Sequence, residues 1–371
     1  MTNMKVMLED SKVTPIKLKV VGVGGGGGKI VGRVGPNFDG IDFIGIDTDA
    51  QALHLLPVPY KVQIGEKITG GVGGAGCDPE KGKFAANEDR GKISELFKNT
   101  HILFLVLGLG GGTGTGAGPV IGKIAKDLGS LVIGIATTPF KWEKKDINAQ
   151  LGHENLKNVV DTLICIPNEK LQEIVDRDTP FMEAFKRVDE VVSRCISSVS
   201  DLINKPSHIM DLDFTDIKRV LENGGKGIVG IGKANGEKKA VKALKNALSD
   251  PLLGEHELPD AKNILVSIIG SHDLSLPDVA EAMQTIQDIS SLNKVAFGLS
   301  IDENLNDEAN VTLMATGIEE SRSPKKKTQA EQKINPPELG IFNTEETREE
   351  EYKIPPSLRR KPGSQQGNDN K

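Results

Sequence analysis

The chain has 371 residues, 37% of them hydrophobic, which is material for one large or two medium domains. A formal net charge of −6, with no basic stripe in the first 320 residues, argues against nucleic acid as a bulk partner. Three cysteines without CxxC spacing (Cys77, Cys165, Cys195) argue against a structural zinc site and read as a reduced, intracellular protein; no apolar run nears the ~18 residues of a membrane span.

Residues 1–15 are polar and mixed in charge, and are expected to form a flexible N-terminus rather than a leader. From 16 to 178, apolar runs alternate with glycine loops and helical patterns. Ile16–Val23, Phe43–Ile46, Ile102–Leu107, Leu131–Ala136 and Thr162–Ile166 predict buried strands, and Lys92–Phe97 and Ile121–Leu128 predict helices between them. This is the pattern of an α/β, Rossmann-like fold: a mostly parallel sheet covered on both faces, with ligands bound beyond the carboxyl ends of its strands. A long connecting helix is predicted over 179–204, with Thr179 as N-cap and Pro180 in the first turn. Its apolar face is Phe181, Phe185, Val188, Val192, Cys195, Val199 and Leu202, over roughly 35 Å. Residues 205–317 predict a second, smaller α+β domain. It has helices at Ile217–Leu221 and Lys238–Leu248 and apolar runs at Ile264–Ile269, Val295–Ile301 and Val311–Ala315. Residues 318–350 are charged and proline-interrupted, a predicted disordered linker. The motif within 351–361 sets Ile354, Pro355 and Leu358 beside Arg359 and Arg360, as in a peptide that docks on a partner, and 362–371 is a polar tail.

The most informative segment is 108–118, Gly-Leu-Gly-Gly-Gly-Thr-Gly-Thr-Gly-Ala-Gly, between a predicted strand and a predicted helix. A loop so short of side chains turns backbone N–H groups toward an anion, and the helix start adds its positive dipole end. Thr113 and Thr115 could add hydroxyl donors. A second cluster, Gly22–Gly28, satisfies G-x-G-x-x-G, with Asp47 and Asp49 roughly where such a motif places a ribose-binding acid. It is not a Walker loop, since Ile30 stands where Ser or Thr should hold magnesium. A third cluster, Gly70–Gly76, exceeds the needs of a dinucleotide and suits a polyphosphate wrapped by several loops. Glu143 could receive a ribose hydroxyl. Phe185 and Asp189, four residues apart, share a helical face on which the ring could stack on a purine while the acid accepts from its N–H groups. Asp211, Asp213 and Asp216 could polarise a water attacking phosphate, although Asp213 serves equally well as a helix cap. A nicotinamide-dependent oxidoreductase would account for one glycine cluster and leave two unexplained.

The chain resembles the tubulin-like GTPases of bacterial cell division, the FtsZ family. The resemblance rests on Gly24–Gly28, Asp47–Leu53 (Asp-Thr-Asp-Ala-Gln-Ala-Leu), Gly110–Gly116, Ile166–Asn168, Ser200–Leu202, Leu212–Asp216 and Ile354–Arg360. It implies a GTP-binding domain at 16–178 and a catalytic loop in the domain that follows. It places GTP or GDP, with Mg2+, against Gly24, Gly25, Gly26, Gly27, Gly28, Lys29, Asp49, Gly74, Gly111, Gly112, Thr113, Gly114, Thr115, Glu143, Asn168, Phe185 and Asp189. It implies that Asp211, Asp213 and Asp216 complete the nucleotide site of the next subunit in a head-to-tail homopolymer. It also implies that Ile354, Pro355, Leu358, Arg359 and Arg360 hold membrane-tethering adaptors and division regulators, so that the protein sits in the cytoplasm at the midcell ring beneath the inner membrane. The chain departs from the family pattern at Lys29, Gly32, Asp47, Thr138, Ile147 and Asp211, which keeps a GTP-binding filament protein of weak hydrolysis as the rival reading.

Overall fold

The computed structural model describes residues 16–70, 73–204, 212–252, 261–289 and 294–318. Its strands in chain order are β1 (Leu18–Val23), β2 (Asp42–Asp47), β3 (Tyr60–Gln63), β4 (Ile102–Gly108), β5 (Leu131–Thr138), β6 (Thr162–Pro167), β7 (Gly225–Asn235), β8 (Asn263–Gly270), β9 (Lys294–Ile301) and β10 (Glu308–Thr316). Among the described residues these make one ten-stranded sheet in the order β3-β2-β1-β4-β5-β6-β7-β10-β8-β9. The first six strands are mutually parallel. β7 joins β6 in parallel over Thr162–Ile164. β10 then runs antiparallel to both β7 and β8, and β9 parallel to β8. The predicted five-strand sheet and the predicted second unit thus share one continuous hydrogen-bonded ladder.

The helices are α1 (Gly24–Val34), α2 (Ala50–Leu55), α3 (Glu66–Thr69), α4 (Pro79–Glu88), α5 (Arg90–Leu96), α6 (Thr113–Asp127), α7 (Asp146–Lys157), α8 (Leu171–Ile174), α9 (Phe181–Asn204), α10 (Phe214–Leu221), α11 (Lys239–Leu248) and α12 (Leu276–Ile289). Alternation along β4 explains why both faces need covering. Ile102, Phe104 and Val106 pack with Ile30 and Val31 of α1 and Val188, Val192 and Ile196 of α9. Leu103, Leu105 and Leu107 point the other way, onto Ile93 of α5 and Ile121 and Ile124 of α6. All six are fully buried, each burial contributing about 2 kcal/mol.

The long helix forms as predicted, with two adjustments. The carbonyl of Pro180 accepts from the Ala184 N–H, so Pro180 rather than Thr179 holds the N-cap position. Phe181 is 62% exposed, so the first turn projects past the core that holds Val188, Val192, Cys195, Val199 and Leu202. Burial pushes the Cys195 thiol up to about 12 and leaves it inert. The helix predicted over Ile121–Leu128 begins eight residues earlier, at Thr113, because the glycine segment is itself helical.

Candidate functional site

β1 is flanked by β2 on one side and β4 on the other, so the chain order reverses between β1 and β4. An open α/β sheet leaves a crevice beyond its strand ends at such a point. Both helices that start there are rich in glycine, and the packing requires it. A side chain at Gly27 would run into the Val106 carbonyl oxygen, so α1 lies on β4 backbone to backbone. Gly24, at the first turn of α1, has φ +70°, the left-handed region that favours glycine. Gly25 and Gly111, by contrast, face nothing within 4 Å. Between them is a cradle of about 160 Å³ lined by Val23–Gly26, Ala75–Cys77, Gly108 and Gly111–Gly114. The N-termini of α1 and α6 both open on it, so unsatisfied backbone N–H groups and two dipoles converge where an anion would sit.

Side chains around the cradle mostly brace it. The Thr113 and Thr48 hydroxyls are 2.7 Å apart, tying the start of α6 to the end of β2. The Thr115 hydroxyl accepts from the Gly110 N–H at 2.9 Å and is buried, so it stiffens the loop from within. Asp49 caps α2, accepting from the N–H groups of Gln51 and Ala52. Gly74 lies beside this turn, where an added Cβ would meet Asp49 and Thr48 at 3.7 Å. Asp47 is buried and accepts from the Thr48 N–H at 2.7 Å. Burial raises its pKa above the ordinary carboxylate value, against the pull of the Asp49 and Thr48 N–H groups. Gly26 and Lys29 are exposed and Gly28 is buried against Leu56; Gly112 and Gly114 line the cradle.

The expected ribose and base residues gather farther along the strand ends. Glu143 accepts from the Phe140 N–H at 3.0 Å and pairs with Lys145 at 2.8 Å, and this contact lifts the Lys145 ammonium above its usual pKa. Phe185 packs edge-on against Phe140 and tilted against Phe181, while Trp142 stacks on Phe140 at 5.2 Å. Asn168, at the end of β6, is 8% exposed, and its Oδ1 has no hydrogen-bond partner. A buried acceptor left unsatisfied costs stability unless something completes it. Asp189 is paired with Arg33 of α1. Sequence reasoning missed Arg33 and Thr48; a second cation, one turn after Lys29 on a helix otherwise of glycine and aliphatic residues, was the available hint of the first.

The acidic group lies elsewhere. Asp213 caps α10, accepting from the Asp216 N–H at 2.9 Å, and Asp216 pairs with Arg219 at 3.6 Å. Phe214 packs edge-on against His101, immediately before β4 begins. These acids therefore belong to the amino end of the parallel strands, whereas the cradle is at the carboxyl end. Seven residues of β4 separate the two ends, about 20 Å. Asp211 and the 351–361 motif with Ile354, Pro355, Leu358, Arg359 and Arg360 lie outside the described residues. A larger cleft of about 1000 Å³ opens beside α9, lined by Lys17, Lys19, Glu190, Arg194, Asp201 and Lys233, and touches none of the glycine loops. Among the described residues no helix is long and apolar enough to cross a membrane.

The family model of the tubulin/FtsZ GTPase domain matches residues 17–176, and that of the FtsZ C-terminal domain matches 225–319. An FtsZ dimer from M. jannaschii is 38% identical, with a TM-score of 0.76 over 82% of this chain and 89% of that one. A point mutant of the same protein matches at the same identity and TM-score over 92% of its chain. CetZ2 from Haloferax volcanii, a GTPγS-bound protofilament, shares the fold at 21% identity, with a TM-score of 0.70 over 83% and 95% of the two chains. The residues that line the cradle fall within the segment matched by the GTPase-domain model, and the chain belongs to the tubulin/FtsZ family.

Proposed function

We propose that this protein hydrolyses GTP to GDP and phosphate at a site completed by a second copy of itself, assembling head to tail into a filament of the cell-division ring. The observation that carries this reading is the separation of the two halves of the machinery. The cradle at the carboxyl ends of β1 and β4 offers N–H donors and is lined by no carboxylate, the nearby Asp47 and Asp49 being engaged with backbone N–H groups, and Asp213 and Asp216 stand at the other end of β4. No rotation of a side chain spans a strand length. Stacking copies with the acidic end of one on the cradle of the next brings the halves together, the heterologous contact that generates open filaments. The M. jannaschii relative is described as a dimer.

In that interface the first-turn N–H groups of α1 and α6 stabilise charge on the phosphoryl oxygens, and the neighbour's Asp213 and Asp216 orient and deprotonate the attacking water. Asn168 offers its unpartnered Oδ1 to the sugar or base, Glu143 a carboxylate to the ribose, and Phe185 its ring to the purine. Among the described residues no three His, Cys, Asp or Glu side chains converge as a metal cage. Mg2+ would come with the nucleotide and supply charge neutralisation at its phosphates. The 351–361 peptide is the segment proposed to hold membrane-bound adaptors at midcell.

The test is phosphate release per subunit across a range of protein concentration. Release should be slight below a threshold and rise above it, and Asp216→Ala should lower the plateau about 100-fold. Release per subunit independent of concentration would sink the shared site. GTP-dependent sedimentation without release would leave a nucleotide-gated scaffold.

A further inference from the structure

Arg33 donates to Asp189 through two bonds, Nε–H to Oδ2 at 2.6 Å and Nη2–H to Oδ1 at 2.8 Å. The side chains are 34% and 15% exposed, so this is a planar, partly desolvated fork joining α1 to α9. It lies one helical turn from Phe185, among elements that share a core with the β6 end where Asn168 stands. Two independent features thus mark this region as one that receives polar groups: a carboxylate shaped for a paired donor, and the buried Asn168 Oδ1 with no partner.

Guanine's N1–H and N2–H groups form the same fork of two parallel donors that a guanidinium presents. A carboxylate holding one fork side-on has no room for the second. We infer that Arg33 is a built-in competitor of the guanine base for Asp189, so that base recognition in this protein proceeds by displacement. The inference rests on the base-site reading above and adds to it the residue that sets its stringency. A base enters fully only if it replaces both hydrogen bonds lost when the Arg33–Asp189 pair opens. Guanine does so. Hypoxanthine supplies one donor, and adenine turns a ring acceptor toward the carboxylate. The selectivity comes partly from the cost placed on the wrong base.

Equilibrium binding of GDP and of inorganic tripolyphosphate tests this, using the full-length protein and its Arg33→Met, Arg33→Lys and Arg33→Met/Asp189→Asn variants. High salt screens the change in net charge. Tripolyphosphate reports the cradle alone. Arg33→Met should bind GDP about tenfold more tightly, some 1.4 kcal/mol, with tripolyphosphate unchanged. Arg33→Lys, which keeps the charge but not the fork, should fall between. Unchanged or weaker GDP binding in Arg33→Met, with tripolyphosphate intact, overturns the competitor role. If Arg33→Met loses tripolyphosphate as well, Arg33→Lys decides: tighter GDP supports the proposal and equal or weaker GDP overturns it. The double variant separates the two claims. If adding Asp189→Asn leaves the GDP affinity of Arg33→Met unchanged, Asp189 is not a base ligand, and the base-site reading fails on its own account.

Discussion

At the carboxyl ends of β1 and β4 the chain presents backbone; at the amino ends of the same strands it presents side chains. The first end is glycine, packed so closely that Gly27 meets the Val106 carbonyl, and its donors are peptide N–H groups fixed by two helix starts. The second end is aromatic and acidic, with Phe214 against His101 and Asp213 and Asp216 in the first turn of α10. An anion-binding surface gains from rigidity and from the absence of side chains that could screen it. A water-directing group needs a titratable carboxylate with a free face. Each end is suited to one half of the chemistry and lacks the other.

The sharpest way to break this comparison is to insert a single methyl group at two neighbouring glycines. Gly27→Ala places its Cβ on the Val106 carbonyl and should cost about 3 kcal/mol or prevent folding. Gly25→Ala meets nothing within 4 Å, so its melting temperature should stay near that of the parent while nucleotide affinity falls. Equal melting temperatures for the two would show that α1 does not rest on β4 as described. Mixing sharpens it next. Gly111→Asp puts a negative charge in the cradle at a position where a Cβ meets nothing within 4 Å, and Asp216→Ala removes a carboxylate from the acidic end. Each alone should be nearly inactive, and an equimolar mixture should recover about a quarter of parental phosphate release, the fraction of head-to-tail contacts pairing two intact halves. A mixture as inactive as its components would place both halves in one subunit. A smaller effect separates the two roles at α10. Asp213→Ala removes the cap on the Asp216 N–H and should lower stability by about 1 kcal/mol, whereas Asp216→Ala should leave thermal stability nearly unchanged.

The smallest effect concerns Asp47. Its pKa is raised in the fold, so the unfolded chain gives up this proton first. The associated stability is present below the ordinary carboxylate pKa of 3.8 and is lost as pH rises through the folded value. Asp47→Asn should therefore raise the melting temperature at pH 7 by about 2 °C, with the gain shrinking toward pH 3.8. A gain of the same size at both pH values would assign it to something other than the buried charge.

How much of this was legible in the sequence follows from where the information resides. β4 is buried on both faces, and its unbroken run Ile102–Leu107 was readable as a strand. The chain also predicts the glycine cradle well, since a site made of backbone leaves a local signature. β3 is a four-residue edge strand beginning at half-exposed Tyr60, and β7 dilutes its apolar residues with four glycines, so neither stands out as an apolar run. α6 starts ahead of its predicted bounds because Pro119 and the glycines preceding it carry a loop signature, although the helix runs through them. Nor could the Arg33–Asp189 pair be read locally, because 156 positions separate its members and only the meeting of α1 with α9 joins them. The unpartnered Asn168 Oδ1 is likewise a property of its surroundings rather than of its sequence neighbours.

The stack of Trp142 on Phe140 gives the molecule an optical handle. This is the only tryptophan in the chain, and it stands 65% exposed on a ring that itself touches Phe185. An indole so placed emits to the red in water and shifts to the blue when another surface covers it. Assembly against this end of the molecule would therefore be visible as a change of colour in the unlabelled protein, in real time and without any added dye.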